Sequence, residues 1–598
     1  MSEIPRLELR EKHWQGVSVS DGLIIGKVLR IPSGTRNILR TTLLDADVER
    51  ETRRLRAAVR LARMQLLAIR NRAERELGME HAYIFDAHIL MLEDKKLLDD
   101  VEAYIRRERS NAEWAVKVAA DKILGIYAEI KDDYLRQRGS DIEDVTRRIL
   151  AALSGEDPAY SKLEEDAVIV AEDFLPSAVA ELDFRRTLAI VTDAGGWTSH
   201  TSILARGLGI PAVVGLRDLH RHVKTGDEII VDGSTGDVYL HPNAATLNRY
   251  KTAAAVASAN LSFVDDARGA VSTTDGIKII LQANVELPAE YDGVLKYGAM
   301  GIGLYRSEFL FAQRVDLPSE EMQRAAYVEV GKFGGEKGAT IRLFDLGGDK
   351  IGLAETETER NPALGLRALR FGLRHIDVLR TQVRAILRAA AEVKLSLVLP
   401  MVSDVSDVRR ARRIIDEERT RLAVDGRKQY GEIKIGAMIE IPSAVMTVGS
   451  IAAEVDFLSL GTNDLVQYLL AVDRGNEAVA EWFRTLHPAV LQSISQVLAA
   501  SKLADIPVSV CGEMAGTPAY AVVLLGLGVR RLSMTPSLIP RMRSVLGKVS
   551  LKDAEQIANE CLSCVEADDV EDLVRAELSK RWGALFPSKS LPIGRSRG

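Results

Sequence analysis

From Asp275 onward the chain repeats one unit, a short apolar run rich in β-formers followed by a helical pattern. Eight runs occur: Ile277–Val285, Gly301–Tyr305, Thr340–Leu346, Ser396–Met401, Lys434–Ile439, Phe457–Leu460, Val508–Cys511 and Arg531–Met534. Alternation of this kind dictates parallel strands, because a helix must carry the chain back over the sheet before the next strand begins. Eight units in roughly 270 residues match the size and count of a (β/α)8 barrel. An open doubly wound sheet is the alternative. The barrel is preferred because the eighth run is followed by one more helix and the rhythm then stops.

The preceding residues read differently. Gly16–Ile31 is a set of short strands broken by glycines. Between Asp45 and Leu153 glycine and proline become scarce, and Leu55, Val59, Ala62, Leu66 and Ile69 recur at helical spacing. The strand signal resumes at Ala167–Ala171, Leu188–Thr192, Pro211–Gly215 and Glu228–Asp232. The economical reading is one α/β domain interrupted by a helical insertion. It divides the chain into a leader with the first strands (1–44), the insertion (45–153), the rest of the α/β domain (154–242), a linker helix and hinge (243–274), the barrel (275–586) and a tail expected to be disordered (587–598).

Composition narrows the function classes. The 598 residues carry 79 Lys+Arg against 85 Asp+Glu, a formal charge of −6, without the basic excess a nucleic-acid binder needs. No apolar run reaches the roughly 20 residues that span a bilayer, and Met1–Lys12 has no signal-peptide core. Three cysteines are too few for a disulfide framework at this length. The expectation is a cytoplasmic protein of the reducing compartment, with no nucleic-acid partner and no direct membrane insertion. Cys561 and Cys564 have no second Cys or His pair nearby and read as i, i+3 packing on one helix face.

In a barrel, reactive groups gather where strands end. Run two ends Arg306-Ser-Glu308. Run three contains Arg342 and leads to Asp345 and Asp349-Lys350. Run five ends at Glu440, run six at Asn463-Asp464 with Arg474 beyond, and run seven at Cys511-Gly-Glu513. Arginine forks bind carboxylate and phosphate in bidentate fashion. Carboxylates such as Glu440 and Asp464 suit a hard divalent cation that completes its octahedron with water and phosphate oxygens. A second cluster, Asp193-Ala-Gly-Gly-Trp-Thr-Ser-His200-Thr-Ser202, runs from a strand into an Ala/Leu-rich helix. It places His200 in a first helical turn, where free N–H groups favour an anion. A neutral imidazole nitrogen is a good nucleophile near pH 7.

These segments together resemble the Enzyme I family of the bacterial phosphoenolpyruvate:sugar phosphotransferase system. The matching motifs are Gly195-Gly-x-Thr-Ser-His200, Gly303-Leu-Tyr-Arg306-Ser-Glu-Phe, Asp345-x-Gly-Gly-Asp349-Lys350, Asn361-Pro-x-Leu-Gly-x-Arg367, Gly461-Thr-Asn463-Asp464, Ala471-Val-Asp-Arg474 and Cys511-Gly-Glu513. They cover nearly the whole chain in the family's order. Single motifs also occur in pyruvate phosphate dikinase and phosphoenolpyruvate synthase, which need a nucleotide-binding domain; this sequence has no Walker-type loop.

The resemblance implies a multidomain α/β protein, with a swivelling phosphohistidine domain carrying a helical insertion, followed by a TIM-type (β/α)8 barrel. It implies that Arg306, Arg342, Asn463, Asp464 and Arg474 hold phosphoenolpyruvate and that Glu440 and Asp464 ligate Mg2+. His200 would take the phosphoryl group, Cys511 would protonate the enolate, and the carrier HPr, docked on the insertion, would receive the phosphate. A homodimer through the barrel is also implied. Two sites on separate domains call for a swivel about hinges near residues 242–275.

Five positions depart from the family pattern: Lys95-Lys96, where acidic residues are common, Trp197 for Arg, Arg360 for Glu, and Ile441 for Thr. The lysines weaken charge complementarity to a basic carrier. His88 is read as an interfacial residue of the docking stretch. Two other functions remain open at this level. One is a paralogue feeding a regulatory carrier, which would usually add a sensor domain. The other is a catalytically silent phosphoenolpyruvate sensor, against which His200, Glu440, Asp464 and Cys511 speak.

Overall fold

The structure, a computed structural model, describes residues 10–20, 22–31, 38–76, 85, 88–128, 133–155, 163, 165–174, 178, 182–183, 186–195, 205, 210–233, 235–251, 270–311, 317–345, 361–426, 429–474, 477–583 and 585–586. It divides into two compact units, Met1–Ala254 and Ala255–Gly598.

The first unit is built on an eight-stranded sheet. Its strands are β1 (Lys12–Gln15), β2 (Val17–Ser20), β3 (Leu23–Arg30), β4 (Ala167–Ala171), β5 (Thr187–Thr192), β6 (Ala212–Val214), β7 (Glu228–Asp232) and β8 (Asp237–Leu240). They lie in the order β1-β8-β7-β3-β4-β5-β6-β2. The chain leaves the sheet at β3 and returns beside it at β4, in parallel, with Val28 opposite Val168. Strands from both sides of the insertion therefore share one sheet. Between them run helices α1 (Asp45–Glu76), α2 (Lys95–Glu108), α3 (Ala112–Ala128) and α4 (Asp133–Ser154).

The period-2 alternation of the central strands decides what each face covers. Ile169, Ala171 and Ile190 join the core that includes Leu55, Ala62 and Leu66 of α1, Ile105 of α2 and Ile149 of α4. Val168, Val170, Ala189 and Val191 point the other way, into a second core with Ile229 and Val238. A parallel segment covered on both faces is expected to read as a continuous apolar run, as Ala167–Ala171 does.

The second unit contains the closed barrel. After β9 (Val271–Ser272) come β10 (Lys278–Val285), β11 (Ile302–Arg306), β12 (Ala339–Arg342), β13 (Leu395–Leu399), β14 (Lys434–Ile439), β15 (Phe457–Leu460), β16 (Val508–Val510) and β17 (Arg531–Met534). β10 pairs in parallel with both β17 and β11, which closes the ring of eight. Three helices follow β17 (Ile539–Leu546, Leu551–Ser563 and Ala567–Trp582), where the sequence suggests one. Short breaks at 547–550 and 564–566 divide them, with Ser550 capping the second through the Asp553 N–H.

The third strand stops at Arg342, short of the expected Leu346. The Leu343 N–H still bonds to the Val398 carbonyl, but the Asp345 N–H turns to the Glu308 carboxylate, so a side chain replaces the ladder partner. Cys561 is buried and Cys564 half-buried at the end of helix Leu551–Ser563, in agreement with a packing role. His88 is not interfacial: it is fully buried, edge-on to Phe85, with carboxylate oxygens of Asp141 and Asp144 at 3.3 and 3.8 Å.

Candidate active site

Parallel strands point alternate side chains into the barrel, and this alternation assembles the mouth. On β14 the spacing Lys434, Gly436, Met438, Glu440 keeps one face inward, so the next residue after the strand projects a carboxylate from its C-terminal end. Glu440 is buried, and its Oε1 accepts from the Met401 N–H at 2.6 Å. Gly461 approaches it so closely that a Cβ there would lie 2.6 Å from Glu440 Oε2. Burial and the neighbouring Asp464 push the Glu440 carboxyl up to about 8, against the pull of Arg342. Asp464, in the first turn of helix Thr462–Leu470, is also buried.

Arg342, at the end of β12, is the central cation. Its Nε and Nη2 donate to Glu308 Oε1 at 3.1 and 2.9 Å, and its Nη1 lies 3.4 Å from Asp345. Desolvation opposes its charge, but Glu308, Asp345, Glu440 and Asp464 outweigh it and hold the guanidinium ionised. Arg367 donates in bidentate fashion to Asp345, at 2.9 and 2.7 Å, and from Nη1 to the Tyr468 hydroxyl. Glu308 Oε2 is buried without a hydrogen-bond partner, and burial raises its carboxyl.

Arg306, at the end of β11, is only loosely held. Its Nη1 lies 3.6 Å from Glu286, and its Nε is buried with no acceptor. It is thus a cation with unused donors at the rim of a strongly ordered network.

Asn463 and Glu513 clasp each other: the Asn463 Nδ2 donates to Oε1 at 2.8 Å and its Oδ1 accepts from the Glu513 N–H at 2.9 Å. One Nδ2 hydrogen is left for a ligand. Arg474 stands apart. Its side chain is exposed and makes no hydrogen bond or ion pair among the described residues. Cys511 closes the floor. It is buried beside Leu304, Val398 and Met438, its Sγ accepts from the Ser459 hydroxyl at 3.3 Å, and its thiol faces the Leu460 carbonyl at 3.4 Å. Burial pushes this thiol up, so it holds its proton at neutral pH. The glycine after it is obligatory, because a Cβ at Gly512 would strike Thr462 Oγ1.

The structure therefore brings Arg306, Arg342, Glu440, Asp464, Asn463 and Cys511 to one end of the barrel. His200 lies outside the described residues, as do Trp197, Lys350 and Arg360. The residues that sequence reasoning did not assign are the holding groups: Glu308, Asp345 and Arg367. All three lie in motifs already noted, but nothing in a motif says which carboxylate grips which arginine.

Among the described residues no group of three or more His, Cys, Asp or Glu side chains forms a metal cage. The mouth offers the Glu440–Asp464 pair. Two buried carboxylates side by side, Glu440 with its proton affinity raised by burial and by Asp464, are hard oxygen donors that fit a divalent cation keeping water and other oxygens in its shell.

Comparison with known proteins places the chain in a class. Family models described as PEP-utilising enzyme, N-terminal (residues 15–138), PEP-utilising enzyme, mobile domain (163–236) and PEP-utilising enzyme, PEP-binding domain (264–551) match in succession. The phosphoenolpyruvate-protein phosphotransferase of Geobacillus stearothermophilus is 39% identical over 574 residues, 96% of this chain and 99% of that one. Those of Listeria innocua and Haemophilus influenzae are 36% and 37% identical, each over 94% of this chain and 99% and 98% of theirs. The chain belongs to the phosphoenolpyruvate-protein phosphotransferase family.

Proposed function

We propose that this protein moves the phosphoryl group of phosphoenolpyruvate to its own His200 and then to a histidine of an HPr-type carrier, releasing pyruvate and starting a sugar phosphotransferase relay. The observation that carries the reading is the barrel mouth, where a fixed arginine, a loosely held arginine and two under-neutralised carboxylates converge on one opening. Phosphoryl transfer asks for positioning and charge neutralisation more than for covalent machinery.

Arg342, locked by Glu308 and Asp345, presents a fixed positive charge, and Arg306 supplies free donors to an incoming oxyanion. Asn463, Asp464 and Arg474 would complete the hold on phosphoenolpyruvate. Mg2+ held by Glu440 and Asp464 would spread the charge developing on phosphate and enolate. The His200 imidazole nitrogen forms a bond to phosphorus as the bond to the enol oxygen breaks. The enolate carbon then takes the Cys511 proton, and the thiolate recovers one from water. A thiol held protonated by burial suits that step.

The reading extends to a homodimer through the barrel, a cytoplasmic setting and a swivel of the unit bearing His200. No helix among the described residues is long and apolar enough to cross a membrane. For carrier docking, Lys96 is exposed and Asp94 caps its N–H, so an acidic docking face would begin with a basic break. The proposal divides the chain at 1–44, 45–153, 154–242, 243–274, 275–586 and 587–598.

The test is incubation with labelled phosphoenolpyruvate and Mg2+. An acid-labile, alkali-stable label that is lost in His200→Ala supports the reading. Binding without labelling would mark a silent sensor instead.

A further inference from the structure

The alternation that brings acids and arginines to one end of the barrel brings a second set of charges to the other. At the N-terminal ends of the strands the barrel encloses a cavity of about 230 Å³, lined by Lys337, Lys394, Lys434 and Arg531 with Asp456 as the one acid. Asp456 is already engaged, since its Oδ2 accepts from the Ile435 N–H at 2.7 Å and lies 3.9 Å from Arg412. Lys394 Nζ donates one hydrogen bond to the Glu336 carbonyl at 2.9 Å. Lys337, Lys434 and Arg531 make no ion pair or side-chain hydrogen bond among the described residues. Arg531 is half-buried, and burial lowers its proton affinity with no acid to compensate.

Like charges gathered around one cavity repel, and an anion placed among them lowers that cost. Two hydroxyls on the same wall, Thr340 and Ser396, add neutral donors. An apolar layer of Leu304, Val398, Met438 and Cys511, with Phe457 packed against it, lies between this cavity and the catalytic mouth. On β14 the order is explicit: Lys434 at the base, Gly436 covered by the Phe457 ring, Met438 in the layer and Glu440 at the mouth. The two ends are separate compartments of one lumen.

We propose that the N-terminal mouth of the barrel is a second anion site, taking a small polyanion with phosphate or carboxylate groups held by Lys337, Lys394, Lys434 and Arg531. The cavity is below the usual ligand-pocket range of about 300–1,000 Å³, so inorganic phosphate or a compact organic anion fits and a nucleotide does not.

The test is calorimetric titration of the full-length protein with inorganic phosphate at constant ionic strength. The wild type should show two saturable classes of site, one at each mouth. The double variant Lys337→Gln/Lys434→Gln, both changes at exposed positions, should weaken one class by about tenfold or more and leave labelling by phosphoenolpyruvate unchanged. In the wild type, phosphate should also slow hydrogen exchange at residues 394–396 and 507–509. Displacement of that class by citrate would assign it to carboxylates as well, and displacement by pyrophosphate alone to phosphates; either supports the site. Wild-type phosphate binding in the double variant, heat that never saturates, or failure of both competitors would overturn it.

Discussion

The two units use the same strand alternation to opposite ends. In the sheet of the first unit, successive residues of β4 are buried on both faces, Ile169 and Ala171 on one side and Val168 and Val170 on the other. On this central strand no face is left for chemistry, so a reactive group beside it must sit in a loop beyond a strand end. In the barrel, one face of every strand looks into a lumen, and the last inward positions carry Arg342, Glu440 and Cys511 into a shared opening. The lesson is a division of labour: the barrel holds its charged groups on strand ends, whereas the sheet of the first unit leaves chemistry to its loops.

Several substitutions would break or sharpen that contrast. Arg342→Ala has the largest expected effect. It removes the charge that Glu308 and Asp345 share, so phosphoryl labelling should fall by about 10³ and stability by about 3–5 kcal/mol, read from quenched-flow labelling and denaturant midpoints. Arg342→Lys should restore part of the stability and little of the rate, because an ammonium cannot span both carboxylates.

Glu440→Gln should cut the rate by about 10² and change the pH response of the metal-free protein. Folding raises this carboxyl from the ordinary carboxylate range to about 8. Between those values the folded state binds more protons than the unfolded chain, so the contribution is present at low pH and is lost as pH rises through about 8. Thermal melts in chelator should show that fall in the wild type, Mg2+ should offset it, and the variant should lack it.

Cys511→Ala should slow pyruvate formation by roughly 10² with little change in stability. In the wild type, the loss of the proton donor should appear only above the ordinary thiol range, as the alkaline limb of a pH–rate profile. The smallest catalytic effect belongs to the other unit. Leu66→Ala in α1 opens a fully buried site and should destabilise that unit by about 2–5 kcal/mol. Metal-dependent melting of the barrel should not move. A barrel transition that shifted equally would erase the distinction between the units.

Much of this is legible in the sequence alone. Lys434–Ile439, Phe457–Leu460 and Arg531–Met534 are strands with the limits their apolar patterns suggest, because buried parallel strands advertise themselves as short apolar runs. Arg306, Arg342, Glu440 and Cys511 can be found the same way, because a charged or reactive residue that ends such a run falls at the barrel mouth. What stays hidden depends on pairing in space. Nothing local to Glu308 or Asp345 reveals that each holds Arg342, and His88 looks like a surface residue until Asp141 and Asp144 of another helix are seen beside it. Lys434 and Arg531 stand at the starts of recognisable strands, but only closure of the barrel turns them toward one cavity.

The central claim, a phosphorylated enzyme fed from the barrel mouth, is tested most directly by pyruvate released from phosphoenolpyruvate with Mg2+ and no carrier. The account predicts a single burst of about one pyruvate per chain, abolished by chelation and absent in His200→Ala. Steady release without a burst, or a full burst in that variant, would contradict it.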